Sequence, residues 1–273
     1  MSTHADQPRR GFVYQFKVED EIPYASLLTD SDRASAECNI VKVIYESFVV
    51  TADQDYLTAR LLSQSGLDRA FFWAAAQTVE KYLKAFLLLR GEPVKSRSHK
   101  LVSLYEKACA LDATLQNIDI APHDELGIPD YALRHVTVFS IKAFLRDIDK
   151  FGRPDNRYNS FGVDFNSGHL FALDHFVYNF RMRIEVPDIW QSLKRVDEGL
   201  LDAFMRNNPW LASDVRSIPE SAKLPVSVRL AMAVTTLDFL VAQIQSPAYK
   251  LALKWLNKMM KLPGELERIV DKV

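Results

Sequence analysis

Cysteine is nearly missing from this chain: among 273 residues only Cys38 and Cys109 carry a thiol. Neither has a CxxC partner, which excludes a zinc-ribbon ligand set and the disulfide framework of a small secreted domain, so both read as free thiols of a reducing compartment. Glycine is scarce as well. The nine glycines, at 11, 66, 91, 127, 152, 162, 168, 199 and 264, never form GxGxxG or GxxxxGKS/T, so neither standard phosphate-cradling loop is written here. Ser65-Gly66 and Ser167-Gly168 lack the flanking glycine of a nucleophile elbow. There is no HExxH, and His169 and His175, six residues apart, do not share a helical face as a metal pair does. The expectation is no metal and no cofactor. Long apolar runs are absent too: Arg9 and Arg10 precede only a short interrupted stretch at 11–16, too brief for a signal core. The most apolar segment, 226–244, is broken by Arg229 and Asp238 and reads as a buried helix, with no integral membrane segment. A cytoplasmic protein is expected. Lys and Arg total 34 against 35 for Asp and Glu, so any attraction for nucleic acid must come from local patches.

What is present is the composition of a folded globule, 48% hydrophobic and 25% charged. Residues 1 to about 35 carry no sustained period and read as an arm, while 40–50 is equally compatible with strand and helix. Thr51 and Gln54 have capping-box spacing and predict a first helix over 53–65, ended by Gly66. From 69 to 90 there is no Gly or Pro, and Phe72, Ala76, Val79, Leu83 and Phe86 recur at three and four residues. This is the long central helix, stopped by Gly91 and Pro93. Ser98 can cap a third helix carrying Leu101, Leu104, Tyr105 and Ala108. Residues 136–148 predict a fourth, and Ser167 can open a fifth that runs to about 184. Beyond Pro187, helices are expected over 193–205, 226–244 and 248–262. The chain divides into an arm and lead-in (1–50), a helical bundle (51–186) and a C-terminal helical extension (187–273). The fold class is all-α.

Three motifs stand in order on these helices: Asp55-Tyr56-Leu57 with Ala59-Arg60, then 77–85 (QTVEKYLKA), then His99-Lys100-Leu101. With the long helix ended by Gly91, and with Arg157-Tyr158 downstream, this segment resembles the HEPN family. The resemblance implies an up-and-down helical bundle, frequent homodimers, and roles from nucleotide binding to RNA cleavage in toxin–antitoxin and defence systems. An antitoxin or a nucleotidyltransferase-like protein is the kind of partner it suggests. Ribonuclease members place a His four to six residues beyond an Arg; here no arginine stands five to seven positions before His99, His123, His135, His169 or His175. A non-cutting nucleotide- or RNA-binding protein is therefore the first expectation.

Read physically, Gln77, Glu80, Lys81 and Lys84 fall beside the apolar stripe of the central helix, an edge suited to a phosphate and a base. Arg97 and His99 add cationic and imidazole groups near the third helix's N-terminus, and Arg157 with Tyr158 would complete a phosphate-sized hollow facing Lys84. The bland alternative is that Glu80 and Lys84 form an ordinary i, i+4 pair and His99 bonds its neighbouring loop. A second candidate is the loop 151–167, where Arg153, Asn156, Arg157, Asn159, Tyr158, Phe161 and Phe165 combine guanidinium forks with rings. Its alternative is a packed connection with Arg–Asp pairs. A divergent ribonuclease remains as a further expectation, with Asp174, His175, Tyr178 and Arg181 meeting those of a second copy across a dimer axis. A third reading is a structural homodimer or adaptor without ligand. Lys250, Lys254, Lys258 and Lys261 lie opposite Ala252, Trp255, Leu256, Met259 and Leu262, a basic amphipathic segment that would dock on its own bundle, a partner groove, anionic lipid or RNA.

Overall fold

The computed structural model describes residues 14–16, 18, 28–95, 100–118, 130, 139–153, 156, 163–185, 208, 235–262 and 264–271. Every regular element among them is helical. The first, α1 (Asp30–Ile44), begins inside what the sequence suggested was an arm. Thr29 and Asp32 form a reciprocal capping box there, and Ala36, Ile40, Val43 and Ile44 then bury one face. The ambiguous stretch after it resolves as helix. A π-helical turn (Tyr45–Val49) carries α1 directly into α2 (Val50–Gln64). Thr51 is consequently no cap: its hydroxyl donates back to the Ser47 carbonyl at 2.7 Å. The wider π turn leaves no chain end at Thr51, so no free amide donors await a side chain there.

Gly66, at φ +68°, turns the chain into α3 (Asp68–Leu89), and Gly91, at φ +76°, ends that helix. Both positions lie in the left-handed region that glycine enters without a Cβ clash. Helix α3 is the axis of the bundle, with Phe71, Phe72, Ala75, Val79, Tyr82, Leu83 and Phe86 all fully buried. It pairs with α2 as a hairpin and also touches α1, α4 (Leu101–Leu111), α5 (Ile141–Phe151) and α6 (Ser167–Arg183). Two starts differ from expectation. Helix α5 opens at Ser140, whose Oγ accepts the Ala143 N–H at 3.2 Å, leaving Phe139 outside it; Asn166, not Ser167, caps α6. Helix α4 has no side-chain cap of its own from Lys100. Gly152 ends α5 against α3, where a Cβ would lie 2.5 Å from the Phe72 carbonyl oxygen.

Toward the C-terminus, the helix expected over 226–244 is interrupted: Thr235 is extended (ψ 163°) and caps α7 (Thr236–Ala242). The helix expected over 193–205 lies outside the described residues. Helix α8 (Pro247–Met259) packs on α1, and α9 (Gly264–Asp271) packs on α8. Leu251, Ala252, Trp255, Leu256 and Met259 are buried, Trp255 stands 4.4 Å from the Phe16 ring, and the Val94 N–H donates to the Met259 carbonyl at 2.8 Å. The basic amphipathic segment thus docks on its own bundle. Each large apolar side chain it buries stabilises the docking by about 1.5–3 kcal/mol. No helix among the described residues is long and apolar enough to cross a membrane.

Candidate functional site

The residues that carried the family resemblance are mostly inside the bundle. On α2, Asp53 and Arg60 are fully buried and face α6. Arg181 Nη1 donates to both Asp53 oxygens, at 2.6 and 2.8 Å, and the Tyr82 hydroxyl donates to the same carboxylate. About two turns along α2, Arg60 reaches Asp174 at 3.2 Å, the Tyr56 hydroxyl donates to Asp174 at 2.6 Å, and Asn208 Nδ2 donates to the Tyr56 oxygen at 3.0 Å. Two ion pairs, each with a phenol, therefore join α2, α3 and α6 without water. Burial raises the Asp174 carboxyl to about 6, against the opposing pull of Arg60 and Tyr56. Burial also pushes Tyr56 and Tyr82 well above the phenol range. For Arg181 burial pulls downward, but Asp53 and Tyr82 outweigh it and hold the guanidinium charged.

This arrangement places most of the side chains expected in a composite ribonuclease centre inside the bundle. Asp174 and Arg181 are 0% exposed and His175 is 1% exposed, with its Nδ1 2.7 Å from the Phe171 carbonyl. Tyr178 is half-buried on the same helix. A second copy cannot meet the three buried side chains unless the core opens, and removing one partner of such a pair costs several kcal/mol.

The edge of α3 is also internally matched. Lys81 Nζ bonds Asp55 at 2.5 Å and Lys84 Nζ bonds Glu80 at 2.5 Å, while Gln77 sits half-buried beside them. The first amide of α4 is met by Asp149 of α5; burial raises that carboxyl, with Arg153, Lys100 and the Leu101 N–H pulling it back. A carboxylate of the protein itself thus occupies the helix N-terminus proposed for an anion. Arg97, His99, Arg157 and Tyr158 lie outside the described residues.

An open cleft of about 790 Å³ lies elsewhere, at the start of α3, lined by 66–70, Trp73, Phe151, Arg153, Asn156 and Val163. Lys84 is 15 residues further along the helix than Arg69, roughly 22 Å at the α-helical rise. Leu67, Ala70, Trp73, Phe151 and Val163 give the cleft an apolar floor; Asp68, Arg69 and Arg153 give it a charged rim. Arg69 Nη1 donates to the carbonyl and the side-chain oxygen of Asn156, at 3.0 and 2.8 Å, and Asn156 Nδ2 donates to the Phe151 carbonyl at 3.0 Å. Arg153 is exposed at the end of α5. The N-cap residue of α3, Leu67, supplies no side-chain cap to its first turn. An indole, two guanidinium groups and a helix N-terminus around one hollow suit a flat ring bearing a negative charge.

Sequence reasoning reached Arg153 and Asn156 through the second candidate loop. It missed Arg69 and Trp73, because both stand at the start of a helix read for its apolar stripe. The legible signal was that Arg69 puts a guanidinium at the next position of the stripe, three residues after the Gly66 turn, while Trp73 falls off it. A second hollow, of about 530 Å³, lies between α4 and α5 beside Cys109. Burial raises that thiol above its ordinary range, so it is not poised as a nucleophile. Among the described residues no group of three His, Cys, Asp or Glu side chains could hold a metal.

Comparison with known proteins finds no family model, no curated protein and no solved structure that matches this chain.

Proposed function

We propose that this protein is a HEPN-like helical bundle that binds a nucleotide or single-stranded RNA without cutting it, and that the ligand occupies the cleft at the start of α3. The carrying observation is the juxtaposition of Arg69, Trp73 and Arg153 around a hollow of about 790 Å³, within the range of small-ligand pockets. A base would stack over the indole, Arg153 and the first turn of α3 would hold phosphate, and Asp68 would accept from a sugar hydroxyl or an exocyclic amine. The HEPN-like reading is supported by the α2–α3 hairpin, by the glycines at both ends of that hairpin's second helix, and by the placement of Tyr56 and Arg60. In this reading those motif residues hold the bundle together. The enclosure of Asp174, His175 and Arg181 supports the non-cutting part of this reading. Homodimerisation, an antitoxin or nucleotidyltransferase-like partner, a toxin–antitoxin or defence setting and a cytoplasmic location belong to the same proposal.

The test is thermal stabilisation by adenosine and guanosine nucleotides, with filter retention of single-stranded oligonucleotides alongside. A ligand at a hundred times its Kd raises stability by about 2.7 kcal/mol. Arg153→Ala should cut the stabilisation at the same ligand concentration to about half or less while leaving the unliganded Tm unchanged, since Arg153 is exposed. Saturating nucleotide with no shift, together with no RNA retention, rejects the reading in favour of a structural adaptor. Cleavage of labelled RNA that persists after purification would reject the non-cutting part.

A further inference from the structure

The described end of the chain segment joining α5 to α6 is fixed by one imidazole. His169 is 1% exposed and is ringed by Phe139, Phe72 and Phe165, at 4.5, 5.0 and 5.8 Å between centroids. Its Nδ1 accepts the Asn166 backbone N–H at 3.2 Å, while Asn166 Oδ1 accepts the Gly168 N–H at 2.9 Å. The first is the reciprocal half of the α6 capping box, with imidazole in the place usually taken by Glu or Gln, and the second caps a further amide of the same turn. An imidazole that accepts at Nδ1 carries its proton on Nε2. That nitrogen stands 3.5 Å from Asp147 Oδ2, beyond hydrogen-bond geometry but within reach of its charge. The carbonyl of the same Asn166 lies 3.3 Å from Nδ1.

We propose that His169 is a proton-sensitive positioning residue for the cleft: neutral, it closes the α6 cap; protonated, it releases the Asn166 N–H and donates to the Asn166 carbonyl instead. The ring cannot do both, because Nδ1 either offers a lone pair or carries a hydrogen. Freed of that anchor, Asn166 no longer pins Phe165 and Val163. Phe165 packs at 5.1 Å on Phe71 and 6.0 Å on Phe72, and Val163 lines the cleft, so the loss reaches the ligand hollow within three residues.

Among the described residues, the charged groups facing the ring are Asp147 from α5 and Asp164 from the connecting segment, and Phe72 of α3 and Phe139 before α5 face it with rings. Burial depresses the imidazole's proton affinity, and the Asn166 backbone, Asp147 and Asp164 restore only part of it. The transition therefore falls on the acid side of the ordinary imidazole value, about 6.5. Near neutral pH the cap is closed.

The consequence for ligand binding rests on the proposed reading of the cleft; the proton-driven change of the cap does not. Both are measured on the full chain from pH 8 to pH 5: imidazole nitrogen NMR for the ring, amide hydrogen exchange for Asn166 and Gly168, and the Kd for adenosine monophosphate. The expected ring is the Nε2–H tautomer at neutral pH, with a single titration below 6.5. Exchange at the two amides should rise about 10-fold or more through the same transition, equivalent to about 1.4 kcal/mol. His169→Gln keeps an acceptor that does not titrate and should flatten the profile; His169→Phe keeps the ring volume and should exchange fast at every pH. Titration at or above 6.5, or exchange that ignores the ring's transition, overturns the proposal, as does an unchanged pH profile in His169→Gln. Exchange that titrates while adenosine monophosphate fails to bind leaves the switch standing and removes the ligand. Binding whose Kd is flat across the transition removes the coupling.

Discussion

Two places in this bundle gather arginines beside aromatic rings, and they serve opposite ends. Between α2, α3 and α6, Arg60 and Arg181 are sealed from water, each with one carboxylate and one phenol. At the start of α3, Arg69 and Arg153 border an open hollow beside Trp73. The buried guanidinium groups are each held by a protein carboxylate and lie where no ligand reaches without opening the core. Those at the cleft stand where water or a phosphate can reach them. The same residue type is thus enclosed in one place and left beside open space in the other, according to the helices that surround it.

The largest effect that would break this contrast is removal of one partner of a buried pair. Arg181→Ala leaves Asp53 charged and unmatched, and should cost about 3–5 kcal/mol in urea unfolding. Replacing Asp53 and Arg181 together with apolar residues of similar volume should recover most of that loss. Recovery marks the pair as a specificity device and not a net source of stability.

The second test uses pH. Asp174 has its carboxyl raised to about 6 in the folded chain, while the unfolded value is about 3.9. Between those values the folded state binds a proton that the unfolded state does not, so this group's contribution to stability grows as pH falls from 7 toward 4. Relative to Asp174→Asn, wild type should gain up to roughly 3 kcal/mol over that window. Most buried, paired carboxylates behave in the reverse sense. A loss of stability across the window, referenced to the same variant, would show that Arg60 and not burial governs the site.

A smaller effect should appear at the cleft. Arg153→Ala should change unfolding free energy by no more than about 0.5 kcal/mol while weakening nucleotide binding about 10-fold or more, as loss of a charged hydrogen bond does. The smallest belongs to the α3 edge. Lys81→Ala breaks a partly exposed pair with Asp55 and should cost at most about 1 kcal/mol, less at high salt.

Local pattern made much of the fold legible. The stripe Phe72, Ala76, Val79, Leu83 and Phe86 placed α3 within a residue of both ends, because one face of a long helix must repeat near 3.6 and the flanking glycines mark its limits. Helix α1 escaped notice since its capping box closes with Asp32 in place of Glu or Gln, and since the π turn removes the break that would have separated it from α2. Thr51 looked like a cap for the same reason. The start of α7 at Thr235 was hidden by apolar residues on both sides of it.

The site was less legible. Spacing correctly paired Glu80 with Lys84, since i and i+4 are neighbours on any helix. It could not show that Asp174 and Arg181 would meet Arg60 and Asp53, 114 and 128 residues away. What the amino-acid order settled alone was periodicity, the glycine-marked ends of α3 and the all-helical class, each a property of a few adjacent residues. Which arginine became structure and which stayed at an open rim depended on the helices brought beside it, because a charge takes its role from the groups that replace its water.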